Sequence, residues 1–262
     1  MYRHVVWIVM ENKSWHDVMG VSAPAPHIQR LARLCGAASR FYGEANPSLP
    51  DYLAMTSGST QGVTDDKGPS FHQLAADNIF QQAGDWRALV ESMPGPCTTS
   101  DNDGYFTRHN PALYYVGLKS SCAERDVPLG TTPDLSAKFT LVTPNACHNM
   151  DQADVRCAST FAGVVQLGDA WLGGFLKKVF RTPQYRSGTT AVLVTWDESS
   201  HGSPATQKIP TLVIAPSVFP GTISAKRFDH YALLRTTEEL LGLRPFLGAA
   251  ASAPSMRAAF HF

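Results

Sequence analysis

The sequence predicts an α/β fold, with a mostly parallel central sheet flanked by helices on both faces. Short apolar runs rich in Val, Ile and Leu are typical of strands that are buried on both sides. These runs alternate with segments of helical periodicity, which is the pattern of a parallel sheet. A chain of 262 residues can bury one large core, so we predict a single domain over 1–262.

The elements follow in chain order. The predicted strands are 5–10, 86–91, 138–143, 190–196 and 209–215, with a short strand or loop at 38–45. The predicted helices are 26–37, 46–58, 70–83, 159–180 and 229–241. In the second helix, Ser48 would be the N-cap and Gly58 the stop. A stretch rich in turn formers, about 94–136 with a helical piece near 111–118, predicts a loop-rich insertion over the sheet edge.

Composition and charge exclude several classes of partner. The chain has 22 basic and 22 acidic residues, so its formal net charge is zero and no polyanion-binding surface is indicated. Nucleic acid is therefore not expected as a partner. No apolar run approaches the length of a membrane span, so we expect no integral membrane association.

The cysteines bear on the cellular compartment. Cys97 and Cys122 flank a loop-like stretch, and Cys147 and Cys157 lie in another polar stretch, whereas Cys35 fits a buried free thiol. Two local disulfides and an oxidising compartment are expected, the alternative being reduced thiols that pack as small apolar groups. The first strand begins almost at the first residue, which leaves no signal peptide in this sequence. We expect either a cytoplasmic protein or a mature domain whose leader has been removed.

Polar side chains follow three of the predicted strands. Glu11 and Asn12 come directly after the first strand, and Asp197 and Glu198 follow the strand at 190–196. In open α/β sheets, ligands collect at the carboxyl ends of strands. Carboxylate and amide oxygens suit Mg, Ca or Mn, and a nearby histidine would extend the choice to Zn or Fe. The alternative for each acidic pair is a solvated turn.

The third strand end adds His148 and Asp151, in the stretch Pro-Asn-Ala-Cys-His-Asn-Met-Asp. Two other histidines are candidate site residues because of their neighbours. His109 lies in a polar cluster of the insertion, and His230 lies at the start of the helix 229–241. A histidine at a helix start fits either a cap partner or a ligand of phosphate or metal.

Ser48 has two interpretations. As an N-cap it needs no further role. At a helix N-terminus, however, its hydroxyl also faces the positive end of the helix dipole, which favours an alkoxide and a bound phosphate. Beside a divalent cation it would become a nucleophile near neutral pH.

With these residues in place, the chain resembles a known family. The segments that carry the resemblance are IVMENKSW, NPSLPDYLAMTSGST, ESMPGPC, YFTRHNP, TPNACHNMD, VTWDES and FDHYALLRTTEELLGL. Together they resemble the phosphoesterase family of bacterial and fungal acid phosphatases and bacterial phospholipases C. This family is part of the alkaline phosphatase superfamily, so the resemblance implies an alkaline phosphatase-like fold. It covers nearly the whole chain, and its motifs occur in the same order.

The resemblance also implies roles for individual residues. The metal ligands of the family fall on Glu11, Asn12, Asp197 and Glu198, and its nucleophilic hydroxyl, which also faces the metal, falls on Ser48. The pocket histidines, expected to contact the phosphate or the leaving group, fall on His109, His148 and His230. Asp151 stands where the family often has a second histidine. Asp151 is thus a candidate ligand at a second metal position, whose composition stays open.

The expected activity is hydrolysis of phosphomonoesters with a divalent metal ion and a phosphoserine intermediate. The partner would be a small phosphorylated substrate or a phospholipid, and the family is largely secreted. One alternative is a phospholipase C-type phosphodiesterase, which would need an exposed apolar rim in the insertion. The candidates for that rim are Phe106, Leu113, Tyr114 and Tyr115. The other alternative is a catalytically silent module that binds phosphorylated or metal-bridged ligands.

Overall fold

A computed structural model of the chain describes residues 2–151 and 156–262. The strands are β1 (His4–Met10), β2 (Gly36–Ala38), β3 (Phe41–Tyr42), β4 (Trp86–Val90), β5 (Asp126–Pro128), β6 (Phe139–Thr143), β7 (Thr190–Trp196), β8 (Lys208–Ile209), β9 (Thr211–Ile214), β10 (Thr222–Ser224) and β11 (Phe228–Asp229). The α-helices are α1 (Trp15–Met19), α2 (Pro26–Leu34), α3 (Ser48–Ser57), α4 (Ile79–Ala83), α5 (Cys122–Arg125), α6 (Phe161–Val179), α7 (Pro183–Arg186), α8 (His230–Leu241) and α9 (Arg257–Phe260). Short 3-10 helices cover Thr107–His109, Pro111–Tyr114, Val116–Leu118 and Gly248–Ala251.

The main sheet has eight strands in the order β10-β2-β9-β7-β1-β6-β4-β5. Its neighbours pair in parallel, except that β9 runs antiparallel to both β7 and β2. A second sheet has the order β11-β3-β8. The predicted α/β class, with a mostly parallel sheet flanked by helices, is confirmed.

The strand β1 lies at the centre of the main sheet because its side chains are apolar on both faces. All six residues from Val5 to Met10 are fully buried. On one face, Trp7 Nε1 donates a hydrogen bond of 2.9 Å to Thr237 Oγ1 of α8. The two neighbours of β1 are β6 and β7, so the carboxyl ends of three strands meet at one edge. That edge carries the polar residues singled out in the sequence.

Two predicted elements differ from the structure. Of the helix expected over 70–83, only the part from Ile79 is helical, because the Asn78 side chain caps it by accepting from Gln81 N at 3.0 Å. Upstream, the backbone of Leu74 is hydrogen-bonded to the 114–116 backbone, which takes it out of any helix. The strand expected over 209–215 is divided at Pro210, which cannot donate to a sheet.

The insertion at 94–136 attaches to the edge of the sheet. Its strand β5 pairs in parallel with β4, and its helical piece is a run of short 3-10 helices rather than an α-helix. The expected disulfides Cys97–Cys122 and Cys147–Cys157 are both present, and Cys35 is a free thiol. Within the described part of the chain, no helix combines the length and apolar character that crossing a membrane requires.

Candidate active site

The ends of β1 and β7 place two buried acids side by side. Met10 pairs with Trp196 in the sheet, and Asp197 N donates to Met10 O at 3.0 Å. Immediately after β1, Asn12 adopts a left-handed backbone (φ 48°), which turns its N–H toward Asp197 Oδ1 at 3.0 Å. Glu11 and Asp197 are both fully buried. The strand register therefore brings the two predicted acidic sites together.

Ser48 faces both of these strand ends. Its Oγ donates to Glu11 Oε2 at 3.2 Å and lies 3.5 Å from Glu198 Oε1. The helix α3 is buried along its whole length, so the hydroxyl is held in this position by packing. The structure thus joins the predicted nucleophile to carboxylates of two different strands.

The N-cap predicted for α3 is wrong. The helix begins at Ser48 itself, Pro47 is the cap residue, and no side chain of the cap makes a capping hydrogen bond. The first free amide is satisfied by a distant acid instead, since Leu49 N donates to Asp66 Oδ1 at 2.9 Å. The Ser48 hydroxyl is consequently directed at the carboxylates rather than at its own helix.

Glu11 is the acceptor on which the neighbouring polar side chains converge. Tyr52 OH donates to Glu11 Oε1, and His109 Nε2 lies 3.3 Å from Glu11 Oε2. The rings of Tyr52 and His109 are stacked with centroids 5.6 Å apart. Burial, together with the nearby charge of Arg108, lowers the pKa of His109 well below its ordinary value. The structure therefore places the predicted pocket histidine His109 beside Glu11.

His230 lies behind the carboxylates, as the first residue of α8. Its Nε2 is 3.0 Å from Trp196 O, and its Nδ1 is 3.3 Å from Asp51 Oδ1. Burial alone would lower the pKa of His230, but the hydrogen bond and charge of Asp51 outweigh it and raise the pKa to about 9. Gly43 lets the chain pass close to the residue that follows β7, since a Cβ there would lie 2.9 Å from Asp197 O. In this structure His230 contacts Asp51 and the β7 backbone.

Asp151 holds the side chain of Asn12. Its Oδ1 accepts from Asn12 Nδ2 at 2.8 Å, and its Oδ2 is 3.4 Å from a guanidinium nitrogen of Arg108. The buried Lys13 fixes the same turn, because its Nζ donates to the carbonyl oxygens of Asn12 and Asp151, both at 2.9 Å, and to Met150 O. Asp151 is therefore brought to the site, with both carboxylate oxygens engaged by protein groups.

His148 belongs to a neighbouring cluster. Its Nδ1 lies 2.9 Å from Glu91 Oε2, and its ring is stacked on Trp171 with centroids 6.0 Å apart. Glu91 also accepts from Asn145 N and Trp171 Nε1, each at 3.0 Å. These contacts join His148 to the end of β4 rather than to Ser48.

The carboxylates around Ser48 are buried and lie close to one another. Burial, followed by the charge of Asp197, raises the pKa of Glu11 well above its ordinary value. Burial also raises the pKa of Asp197 and of Glu198, which lie close to one another and to Asp51. One oxygen of each of these last three carboxylates is buried with no hydrogen-bond partner among the described residues. Such groups are costly unless something binds them.

The donor set fits a divalent cation by charge and chemistry. Within residues 2–151 and 156–262, no three His, Cys, Asp or Glu side chains already meet in a metal-binding geometry. Two of the carboxylates with a partnerless oxygen nevertheless contact Asn12 and Ser48 through their other oxygen, since Asp197 Oδ1 accepts from Asn12 N and Glu198 Oε1 lies 3.5 Å from Ser48 Oγ. Hard oxygen donors with excess negative charge are what Mg, Ca and Mn prefer.

The apolar rim considered for a phospholipase is not exposed. Leu113, Tyr114 and Tyr115 are buried in the core, with exposed fractions of 8%, 1% and 1%. Phe106 is covered by the guanidinium of Arg108, 4.1 Å from its ring centroid. These four residues therefore offer no continuous apolar surface next to the site.

Several residues of the site were not singled out from the sequence. Asp51, Tyr52 and Asp66 contact His230, Glu11 and the start of α3 respectively, and Arg108 contacts Asp151. Asp51 and Tyr52 follow Ser48 by one helical turn, so their spacing carried a usable signal. Asp66 lies on a loop and Arg108 in a 3-10 helix of three residues, where no periodicity shows which way a side chain points.

Comparison with known proteins identifies the family. The model of the "Phosphoesterase family" matches residues 22–244, which is most of the chain. The chain belongs to the phosphoesterase family. Phosphatases are its curated relatives, and it is a hydrolase of phosphoric ester bonds. The membership expected from the sequence is thereby confirmed.

Two relatives show the range of the phosphoesterase similarity. The chain is 28% identical over 263 residues to the phosphatidylinositol-3-phosphatase of Mycobacterium tuberculosis, covering 97% of this chain and 81% of that protein. It is 24% identical over 266 residues to an acid phosphatase of Aspergillus fumigatus, covering 93% of this chain. The chain spans only 55% of the length of that fungal protein.

Solved structures share the fold of this phosphoesterase. An alkaline phosphatase superfamily protein from Vibrio parahaemolyticus has a TM-score of 0.67 at 13% identity, covering 99% of this chain and 72% of its own. A phosphonate monoester hydrolase from Silicibacter pomeroyi has a TM-score of 0.63 at 15% identity, with coverages of 98% and 76%. The alkaline phosphatase-like architecture is therefore confirmed.

Proposed function

We propose that this phosphoesterase hydrolyses phosphomonoesters through a phosphoserine formed on Ser48, with a divalent metal ion in the adjacent carboxylate site. The observation that carries the proposal is the position of Ser48 Oγ, 3.2 Å from Glu11 and 3.5 Å from Glu198. Both carboxylates are buried, and one oxygen of Glu198 has no partner in the described part of the chain. A nucleophile and a cation-binding group thus lie within contact distance of each other.

The proposed ligands of the metal are Glu11, Asn12, Ser48, Asp197 and Glu198. Asp151 would join them only by giving up its hydrogen bond to Asn12 or its contact with Arg108. When bound, such an ion supplies positive charge that lowers the pKa of a serine hydroxyl and offsets the charge of phosphoryl oxygens. Oxygen donors of this kind suit Mg, Ca or Mn, and His109 Nε2, which lies 3.3 Å from Glu11 Oε2, keeps Zn and Fe among the candidates.

The reaction would proceed in two displacements. Ser48 Oγ attacks phosphorus, its proton passes to one of the two carboxylates it faces, and the ester P–O bond breaks as the leaving alkoxide takes up a proton. Water then attacks the phosphoserine, which releases inorganic phosphate and restores the hydroxyl. Phosphoryl transfer depends mainly on positioning and charge neutralisation, so a fixed Oγ is the central requirement.

We propose roles for three histidines, which differ in how directly each would affect turnover. His109 is the one adjacent to Glu11, and we assign it to bind the phosphoryl oxygens or to protonate the leaving oxygen. His230 would act by holding Asp51 and the end of β7. His148 could reach a substrate only from the side of Glu91. The order of importance for turnover is therefore His109, His230 and His148.

The substrate class and compartment are part of the same proposal. A small phosphorylated molecule suits a site with buried charges and no apolar rim. A phosphoinositide is also a candidate, because the mycobacterial relative is named for phosphatidylinositol 3-phosphate hydrolysis. The two disulfides fit an oxidising compartment, so we propose that the protein is secreted.

The test is a panel of phosphomonoesters and phosphodiesters, run after chelation and re-addition of each candidate metal. We expect Ser48→Ala to lower kcat at least about 1,000-fold, because it removes the nucleophile. Ser57→Ala is the matched control, since Ser57 is a buried serine of the same helix bonded to Leu53 O. Acid quenching during turnover should leave phosphate on the Ser48 peptide, detected by mass spectrometry.

Four results would contradict the proposal in different ways. Wild-type turnover by Ser48→Ala would contradict the assignment of Ser48 as the nucleophile. Full activity after chelation would contradict the requirement for a metal ion. A clear preference for diesters would replace the phosphatase with a phospholipase C-type phosphodiesterase. Hydrolysis of neither ester class with metal bound would indicate the silent module.

A further inference from the structure

Arg108 is a partly exposed cation next to the carboxylate cluster, and the proposed reaction assigns it no role. It belongs to the 3-10 helix at 107–109 of the insertion, directly before His109. Its side chain is 22% exposed, so it reaches solvent as well as protein. The guanidinium plane rests on the ring of Phe106 at 4.1 Å, which limits the directions in which it can point.

Two carboxylates contact Arg108 through different nitrogens of its guanidinium. Asp151 Oδ2 lies 3.4 Å from a terminal guanidinium nitrogen, and Asp66 Oδ2 lies 3.9 Å from Nε. Both separations exceed those of a bidentate Arg–carboxylate pair, which are about 2.7–2.9 Å. Arg108 therefore keeps donors that a stronger anion can take.

The same two carboxylates anchor Arg108 to the reacting residues. Asp151 accepts from Asn12 Nδ2 at 2.8 Å, and Asp66 accepts from Leu49 N, next to Ser48, at 2.9 Å. One anchor thus leads to the metal site and the other to the nucleophile. Arg108 spans the gap between them.

The other cations around the cluster have their donors occupied. Lys13 is buried, and its Nζ donates to three backbone carbonyl oxygens. His230 is fully buried between Trp196 O and Asp51. Among the described side chains that contact the carboxylate cluster, Arg108 is the cation that is both exposed and loosely held.

We propose that Arg108 binds the phosphoryl group of the substrate and sets a preference for phosphomonoesters over phosphodiesters, with Asp151 and Asp66 as its positioning residues. This inference rests on the proposed phosphoesterase chemistry at Ser48. It assigns Asp151 to the support of Asn12 and Arg108 rather than to the metal.

The preference follows from the charge of the two substrates. A phosphomonoester dianion presents three unesterified oxygens, so two can face a guanidinium fork while the metal side takes the third. A diester has one charge fewer and only two such oxygens. Removing the guanidinium should therefore lower the hydrolysis of the monoester more than that of the diester.

The experiment compares para-nitrophenyl phosphate with its methyl diester as substrates of Arg108→Gln. We expect kcat/KM for the monoester to fall about 100-fold and that for the diester less than about 10-fold, the range of a charged hydrogen-bonding pair. Inhibition by inorganic phosphate should weaken by a similar factor. Arg108→Lys, which keeps the charge without the fork, should recover part of the monoester activity.

A matched control exists elsewhere in the chain. Arg235 is 21% exposed, stacks on Phe246 at 3.5 Å and pairs with Glu239 at 2.7 Å, all away from the carboxylate cluster. Arg235→Gln removes the same interactions and should leave the ratio of monoester to diester turnover unchanged. Circular dichroism and thermal melts of each variant identify losses that come from unfolding.

Asp151→Asn tests the positioning role. The new side chain keeps an oxygen for Asn12 but loses the carboxylate that holds Arg108. We expect a reduced monoester preference with metal affinity, measured by calorimetry, within about threefold of the wild type. A large loss of metal affinity would return Asp151 to the metal ligands and overturn its assignment as a support of Arg108.

Failure of this inference is distinct from failure of the proposed function. Equal loss of monoester and diester turnover in Arg108→Gln, or unchanged phosphate inhibition, would overturn the role of Arg108 while Ser48 chemistry stands. If the wild type hydrolyses neither ester, calorimetric binding of inorganic phosphate to wild type and Arg108→Gln decides the matter. Equal affinities would then overturn the inference.

Discussion

Glu11 and Glu91 occupy matching positions at the same edge of the sheet. Each follows a parallel strand, β1 or β4, and each precedes a residue with a left-handed backbone, Asn12 (φ 48°) or Ser92 (φ 63°). Each also accepts a hydrogen bond from an aromatic side chain, the buried Tyr52 for Glu11 and the half-buried Trp171 for Glu91. The two glutamates differ in the charge of their other neighbours.

Glu11 faces acids, whereas Glu91 faces a histidine and a backbone amide. Burial and Asp197 raise the pKa of Glu11 well above its ordinary value. For Glu91, burial acts in the same direction, but the hydrogen bonds from His148 and Asn145 outweigh it and lower the pKa. In the Glu11 cluster, Asp197 and Glu198 each keep a buried oxygen without a partner among the described residues, whereas the Glu91 carboxylate accepts three hydrogen bonds. Strand-end geometry alone therefore does not mark a ligand site; the balance of charge does.

The sharpest test of this contrast replaces Glu11 by glutamine. We expect Glu11→Gln to lower kcat/KM about 1,000-fold, because a proposed metal ligand is lost. Without metal, the variant should be at least as stable as the wild type, since a buried charge next to Asp197 is gone. Denaturant unfolding in chelator measures this. A metal-free variant less stable than the wild type would show that Glu11 is satisfied by protein alone.

Replacing His109 or His148, the histidines next to Glu11 and Glu91, should change kcat by less than Glu11→Gln changes kcat/KM. His109→Gln is expected to lower kcat about 100-fold, because its ring lies beside Glu11. His148→Gln should lower it less than about 10-fold, because His148 contacts Glu91 and Trp171 instead. Steady-state kinetics on one aryl phosphomonoester compares them. Equal losses would place His148 in the reaction and remove the distinction between the clusters.

Metal removal should act on the Glu11 cluster alone. At a free metal concentration near 100 times the dissociation constant, binding adds about 2.7 kcal/mol to the free energy of unfolding. Chelation should therefore lower the melting temperature of the wild type and of Glu91→Gln, but not that of Glu11→Gln. Differential scanning calorimetry with and without chelator shows this. A chelator-sensitive Glu11→Gln variant would locate the metal elsewhere.

A third buried acid, Asp126, lies between these extremes because its side-chain partner is the neutral amide of Asn110, at 2.9 and 3.0 Å. Burial raises the pKa of Asp126 to about 7. The folded state then binds more protons than the unfolded state between about pH 4 and pH 7, so stability falls as pH rises through that window. We expect the ionisation of Asp126 to lower the free energy of unfolding by about 2 kcal/mol from pH 5 to pH 7.

Asp126→Asn isolates this share of the pH dependence. The variant keeps the size of the side chain and cannot ionise, so its free energy of unfolding should fall less steeply over the same range. Urea titrations at both pH values give the difference from the wild type. Parallel pH profiles would mean that Asp126 is ionised in the folded protein.

The smallest effect is expected for Glu91→Gln. Its carboxylate accepts three hydrogen bonds, from Asn145, His148 and Trp171, and the amide can accept only part of them. We expect a loss of about 1–2 kcal/mol in the free energy of unfolding, with turnover nearly unchanged. Exposed Glu124→Gln serves as the control, with a change below about 0.5 kcal/mol. An unchanged free energy of unfolding in Glu91→Gln would contradict a structural role for this cluster.

The sequence sufficed for the parts of the molecule that periodicity governs. Buried runs located β1, β6 and β7, and the parallel arrangement then placed Glu11 near Asp197. The N-cap role of Ser48 was predicted wrongly, because Leu49 N is bonded instead to Asp66, an acid on a loop 17 residues further along the chain. Local patterns likewise do not show that β4 ends beside His148.

Loop residues were the harder part for a physical reason. Arg108 and Asp151 are aligned by long-range contacts, with partners 43 residues apart in the sequence. The helix expected over 70–83 was shortened in the same way, by backbone bonds of Leu74 to a distant loop. Tertiary contacts of this kind override local propensity, and a single sequence does not contain them in readable form.

The insertion at 94–136 leaves the sheet after β4 and returns at β6, which are adjacent strands. Its two ends are therefore close together, and the Cys97–Cys122 disulfide fastens it internally. A loop with this attachment can change in length or sequence while β1 and β7 keep their register. Arg108 and His109 belong to this insertion, whereas Glu11 and Asp197 lie at the ends of sheet strands. Grafting this loop between relatives is thus a route to altered substrate range on an unchanged acidic framework.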